Sequence, residues 1–442
     1  MKPKATTTAP TVNGLRKAEL MKKLSHVFPV LVVVALLVPA AMFGQAPPPF
    51  EPPQPSGRWP IGTTTWVVTD TGRPDPFAPG LQRQVRVVAW YPSVNAKDAS
   101  LAPYLRQGPQ EVRAFATLLR APGAFEGLPK VFGHGMVDAD PAKQTKLPVL
   151  LFSHGYTAVP SSYTLLMEDL ASHGYVVLSI VHPYEATAAT LADGSVVTML
   201  DEQGQLRQGI RRVLDEWGAE DATLAKVTAT DDDADQVTLL RGYLAGLKNT
   251  EVALRRWVDD TRLVLDRLKA LPASTPPGRL AAKIDLTRLG AFGHSMGGVT
   301  AGQFCLEETR CRAALNLDGS PQYGTMIDKV MGKPLLMVYS DRPGREGASD
   351  AIYRASASTY YRVDVHQTLH VDFSDMGFWG GPLRERGAFG PIAPDAAANI
   401  TRRIVREFFD QELLGRTSPL LNARTKWSWE QVAVQVKRPL KK

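Results

Sequence analysis

From Leu147 onward the chain alternates unbroken apolar runs with segments whose apolar residues recur at helical spacing. "LPVLLFSHG" and "YVVLSIVHP" are apolar throughout, the pattern of parallel strands buried on both faces. Between them "SSYTLLMEDLASHG" opens with serines, spaces its apolar residues helically and stops at Gly174, so it predicts a helix. "RLGAFGHS", "RAALNLDG", "KPLLMVYSD" and "TYYRVDVH" predict further strands. "PDAAANITRRIVREFFDQELLG" predicts a closing helix, with Pro394 and Asp395 at its start and Gly415 at its end. Before this region "VRVVAWYP", Val85 to Pro92, reads as a strand, and residues 93–146 read as a loop carrying one helix in "EVRAFATLLR". Residues 183–283 interrupt the rhythm. "LRQGIRRVLDEW" and "RRWVDDTRLVLDRLKALP" have helical spacing and "DGSVVTML" suits one arm of a hairpin, so a mainly helical insertion is expected there. The whole pattern predicts an α/β domain over residues 58–415: a mostly parallel sheet with helices on both faces.

The ends of the chain differ from this body. Residues 21–46, "MKKLSHVFPVLVVVALLVPAAMFGQA", combine a basic start, an apolar run and small residues Gly44 and Ala46, which is the layout of an export signal cleaved after Ala46. Twenty residues precede Met21, which makes Met21 an alternative start for a signal otherwise counted as residues 1–46. Residues 47–57 are Pro-rich and read as an extended linker. The net charge of +7 belongs to the two ends: residues 1–46 carry +5 and residues 416–442 carry +6, leaving −4 on residues 47–415. A mildly acidic body without a basic stripe argues against nucleic-acid binding. The basic tail, with its "KWSW", is left open between contact with a membrane surface and packing on the domain. "DDDADQ", Asp231 to Gln236, reads as a solvated loop or helix start rather than a cation site. The two cysteines, Cys305 and Cys311, are candidates for a disulfide in an exported protein.

The chemistry concentrates at "GHSMG", Gly293 to Gly297, a GxSxG match between a predicted strand and a predicted helix. A serine on so sharp a turn has its hydroxyl thrust out at the carboxyl edge of the sheet, and the glycines two before and two after it allow the backbone to close up. The Ser295 hydroxyl needs a base and an acid that orients the base, expected in the chain order serine, acid, histidine. Of eight histidines, only His366 and His370 follow the last predicted core strand. Asp318, ending "ALNLDG", and Asp341, ending "LLMVYSD", are the candidate acids. The oxyanion donors expected are the backbone N–H groups of Met296, next to the nucleophile, and of Tyr156 in "FSHGY".

With these residues in view, the chain resembles the secreted α/β-hydrolase type of platelet-activating factor acetylhydrolase and its bacterial relatives. The resemblance rests on "RPDPF", "AWYP", "LLFSHGYTA", "EDLASHGYVVLSIVHPYEA", "FGHSMGG", "LNLDGS" and "HVDFSD", spread from about Arg73 to Asp375. It implies an α/β-hydrolase fold, Ser295 as nucleophile, Asp318 as the acid of an LD motif, and His370 as the base beginning HxxFxD with Phe373 and Asp375. It also implies hydrolysis of short or oxidised acyl chains on phospholipids without calcium, of which ester hydrolysis is the part carried over, since bacterial relatives differ in substrate; no metal or organic cofactor is expected. The expected partner is thus a small-molecule or lipid ester. Two other readings stand beside it: a cutinase-like polyester hydrolase using the same groups, and an inactive hydrolase fold serving as a binding protein.

Overall fold

The computed structural model describes residues 50–95, 99–320, 324–421 and 430–438. The expected export signal over residues 1–46, the start of the Pro-rich segment and the "KWSW" of the tail lie outside the described residues. The strands, in chain order, are β1 (Ile61–Pro74), β2 (Gln82–Pro92), β3 (Leu101–Pro103), β4 (Phe132–Val137), β5 (Leu147–Ser153), β6 (Val176–Val181), β7 (Ala188–Thr190), β8 (Val196–Thr198), β9 (Ile284–His294), β10 (Cys311–Leu317), β11 (Leu335–Ser340), β12 (Tyr360–Val365) and β13 (Val432–Lys437). Apart from the small β7–β8 hairpin, they form one sheet in the order β13-β12-β11-β10-β9-β5-β6-β2-β1-β4-β3. The six strands from β12 to β6 run parallel, and antiparallel strands flank them, β13 on one side and the β1–β2 hairpin on the other.

The apolar runs make the centre of this sheet because both faces are covered. Successive residues of β5 go to opposite layers. Val149 and Leu151 pack with Trp257, Val258 and Phe304, whereas Leu150 and Phe152 pack with Leu166, Leu170, Ile404 and Phe408. Each such side chain taken fully out of water contributes about 1.5–3 kcal/mol, and the alternation fixes the register, since a slip of one residue would exchange the two layers. The closing helix spans Pro394–Leu414, with proline in its first turn and Gly415 in the left-handed conformation just past its end.

The structure revises three of the sequence readings and decides part of a fourth that stood open. First, the stretch 183–283 is not wholly an insertion: its longest helix, Lys248–Arg267, buries Trp257, Val258, Val264 and Leu265 in the main core and serves as the crossover from β6 to β9. The shorter helices Gln208–Glu216, Glu220–Thr228 and Asp233–Leu244, with the β7–β8 hairpin, are the added part. Asp232 caps the last of these helices, accepting from the N–H groups of Ala234 and Asp235, so the acidic run is a helix start. Second, residues 93–146 hold two strands besides the expected helix, β3 at the sheet's edge and β4 beside it, and the helix forms at Gln110–Leu118. Third, the described part of the Pro-rich segment is docked rather than free. Phe50 packs against Tyr104 and Phe378 with ring centroids 5.2 and 5.8 Å away, and the Ser56 and Gly57 N–H groups donate to Asp169 at 2.7 Å and Ser172 Oγ at 2.9 Å. Fourth, part of the basic tail is strand β13, which pairs antiparallel with β12 and sets Val432, Val434 and Val436 against Val365, Val363 and Tyr361. Among the described residues no helix is long and apolar enough to cross a membrane.

Candidate active site

Strand β9 ends at His294, the helix Met296–Glu307 begins at Met296, and Ser295 makes the corner between them with φ 56° and ψ −128°. Positive φ is costly for a residue with a side chain, and the surroundings explain why it persists. A Cβ on Gly293 would run into the backbone of Gly297, and one on Gly297 would run into the Ser153 carbonyl. The flanking glycines therefore let strand, corner and helix close on each other. The Ser295 N–H donates to Leu317 O at 2.9 Å, which moors the corner to the end of β10. Ser295 is half-buried while its neighbours on both sides are buried, so this position alone opens toward solvent.

Asp318 follows directly on β10 and also has positive φ, 52°. Its carboxylate is almost fully buried and saturated with donors. The Ser340 N–H lies 3.0 Å from Oδ1, and Ser340 Oγ at 2.9 Å, His370 Nδ1 at 2.7 Å and Arg342 Nη2 at 3.0 Å all reach Oδ2. Burial by itself would raise this carboxyl, but Arg342, His370 and the Ser340 amide outweigh it and hold Asp318 below the usual carboxylate range. With Asp318 ionised, His370 Nδ1 carries the shared proton, and Nε2 is left with its lone pair.

His370 sits at the start of a short turn after β12, with 18% of its side chain exposed. Burial and the Arg342 charge lower its pKa below the ordinary histidine value, against the opposing pull of Asp318, so it is neutral at pH 7. His294 steadies it from beneath. The two rings lie 4.4 Å apart, His294 Nε2 is 2.8 Å from the His370 carbonyl, and His294 Nδ1 is 2.9 Å from the Tyr163 hydroxyl. Burial, then the nearness of His370, keeps His294 neutral, so Nε2 donates to that carbonyl and Nδ1 accepts from Tyr163.

The loop after β5 completes the site. The Ala158 N–H donates to Gly155 O at 3.1 Å, closing a turn whose central residues are Tyr156 and Thr157, the latter at φ 57°. A Cβ on Gly155 would come within 3.4 Å of Ser295 Cβ, so this turn lies against the serine corner. Among the described residues the Tyr156 and Met296 N–H groups have no hydrogen-bond partner: one belongs to the turn and the other to the first position of a helix. The Tyr156 ring is buried against Trp217 and Trp257, which makes the side chain a packing element rather than a lining one. His154, next in the loop, is also buried; desolvation, chiefly, pushes its pKa down to about 3.

Of the residues singled out in the sequence, the structure thus brings together Ser295, Asp318, His370, Tyr156 and Met296. The alternatives His366 and Asp341 pair with each other instead, Nδ1 to Oδ1 at 2.8 Å, on the exposed surface. Cys305 and Cys311 form a disulfide that ties the end of the helix Met296–Glu307 to the start of β10. Sequence reasoning missed the groups that hold the candidate triad, namely Ser340, Arg342, His294 and Tyr163. The nearest signal was "YSDR" at the end of β11, where the serine and arginine flank the aspartate taken as the alternative acid. Among the described residues, no group of three or more His, Cys, Asp or Glu side chains is disposed to hold a metal ion.

A parallel sheet with helices on both faces, a serine on a strained strand-to-helix corner and a buried acid–histidine pair beside it define an α/β-hydrolase. The chain belongs to the family described as platelet-activating factor acetylhydrolase, isoform II, whose model matches residues 136–415. It is 23% identical over 282 residues to the platelet-activating factor acetylhydrolase of Gallus gallus, covering 61% of this chain and 62% of that protein. It is 24% identical over 245 residues to the protein of the same name from Canis lupus familiaris, covering 54% and 50%. The chain therefore spans less than two thirds of the length of either relative. A solved ferulic acid esterase from Streptomyces cinnamoneus is similar in structure, with a TM-score of 0.66 and 25% identity over 87% of this chain and 99% of that one.

Proposed function

We propose that this protein is an exported serine hydrolase that cleaves carboxylic esters, short-acyl or phospholipid-like, through an acyl-enzyme. Ser295 Oγ attacks the ester carbonyl as His370 Nε2 takes its proton. Asp318 holds the imidazole in the required tautomer and stabilises the imidazolium that forms. The Met296 and Tyr156 N–H groups receive the negative charge of the tetrahedral intermediate, where the loss of one such donor typically costs about 3 kcal/mol. His370 then protonates the departing alcohol, and water, activated by the same histidine, releases the acid.

The observation that carries this reading is the 2.7 Å Asp318–His370 bond, buried beside a positive-φ serine. Family membership and the esterase likeness support an ester rather than an amide as substrate. A second reading, an esterase for aromatic or polymeric acyl groups, has the ferulic acid esterase likeness in its favour. The test is a chain-length series of p-nitrophenyl esters and phospholipids, with a feruloyl ester beside them, on the purified mature protein. Turnover falling with acyl length and strongest on acetyl to butyryl groups supports the first reading. Preference for the feruloyl ester supports the second, and no ester turnover at all contradicts both. The amino terminus of the exported protein, read by mass spectrometry, is expected near Pro47; a retained apolar segment would contradict cleavage after Ala46.

A further inference from the structure

Besides the Ser340 hydroxyl at 2.9 Å, two cationic or titratable side chains share one oxygen of Asp318: His370 Nδ1 and Arg342 Nη2 both reach Oδ2, at 2.7 and 3.0 Å. Arg342 makes a second bond, from Nη2 to the Asp318 backbone carbonyl at 2.9 Å, and so grips both ends of the residue. Asp318 is the only carboxylate paired with Arg342 among the described residues, and Arg342 Nε is buried without a partner. Its neighbour Arg345 is placed differently, paired with Glu220 at 2.8 Å and with Asp221, both from the insertion helix Glu220–Thr228. The insertion thus neutralises Arg345 and leaves Arg342 facing the acid–histidine pair. The charged or titratable groups around His370 are Asp318 from the end of β10, Arg342 and Arg345 from the loop after β11, and His294 from the end of β9. His294 is neutral and Arg345 has two carboxylates of its own, so Arg342 is the positive charge that shares the Asp318 carboxylate with His370.

We propose that Arg342 is a positioning residue for the hydrolysis, locking Asp318 toward His370 and, by its fixed charge on the shared oxygen, keeping the imidazole in its base form at mildly acid pH. This rests on the reading of Ser295, His370 and Asp318 as the triad. An imidazolium on Asp318 Oδ2 would have to form beside a guanidinium on the same atom, and like charges at such range disfavour the second one. The consequence is specific. A purely structural Arg342 would change the height of the pH–rate profile, whereas this role also moves its acid limb.

The experiment is the pH dependence of kcat/KM for p-nitrophenyl acetate in the wild type, R342Q and R342K, with S295A alongside. R342Q is expected to lose activity and to shift the acid limb upward by about half a pH unit or more, while R342K, which retains the charge, keeps the limb near the wild-type position. An unshifted limb in R342Q, or an equal shift in both variants, overturns the proposal. A neutral variant that cannot fold also counts against it, because Arg342 would then be required by the fold rather than by the base. Activity remaining in S295A would instead defeat the underlying reading, so the two failures are distinguishable.

Discussion

Two of the molecule's histidine–aspartate pairs join the ends of the neighbouring strands β10 and β11 to the segment after β12, and their geometry is nearly identical. Asp318–His370 and Asp341–His366 each join Nδ1 to a carboxylate oxygen, at 2.7 and 2.8 Å. What separates them is burial and company. Asp318 is 1% exposed and His370 18%, against 42% and 43% for Asp341 and His366. The buried acid residue makes four further bonds, while among the described residues the exposed carboxylate holds only His366 and the Gln367 N–H. Water screens the exposed pair, and such pairs contribute about 0–1 kcal/mol. A hydrogen bond of the right length is therefore not what sets the two pairs apart; a dry site with several converging donors is.

That contrast can be broken experimentally. The largest effect is expected in catalysis: H370A or D318N should lower kcat by about a thousandfold or more, while H366A and D341N stay within about twofold of the wild type on a short p-nitrophenyl ester. Comparable losses in both pairs would erase the distinction. Next comes stability. D318A leaves Arg342 with no carboxylate and should cost about 3 kcal/mol in urea unfolding, whereas D341A should stay within about 0.5 kcal/mol. The smallest effect is in pH. Because the neutral imidazole is the base and the folded environment lowers the His370 pKa, activity should persist as pH falls below about 6.5, the ordinary histidine value. It should then be lost as the imidazole protonates, and H366A should leave that limb where it is.

The sequence displayed one half of this contrast and hid the other. The GxSxG corner, the buried parallel strands and the caps of the helix Pro394–Leu414 are local patterns, and all were readable. Both acids end adjacent parallel strands and both histidines follow β12; the usual placement of the acid on such a fold favoured Asp341, and only the resemblance favoured Asp318 and His370. The decisive facts are tertiary: which carboxylate turns inward, and that Ser340 and Arg342 from the neighbouring strand end converge on it. Strand β4 was missed because "FGHGMV" has two glycines and little alternation. It is held in part by the buried Glu168 carboxylate, which accepts from the His134 and Gly135 N–H groups at 2.8 and 3.0 Å. Strand β13 was hidden by the charge around it, although "VAVQVK" places its valines two apart.

The central claim is that the Ser295 hydroxyl is activated by the buried histidine. Labelling with a fluorophosphonate, followed by peptide mass spectrometry, reads it directly. The account predicts a single adduct on Ser295 that forms in the wild type and in H366A but not in H370A; an adduct on another residue, or labelling of Ser295 that survives the loss of His370 unchanged, would contradict it.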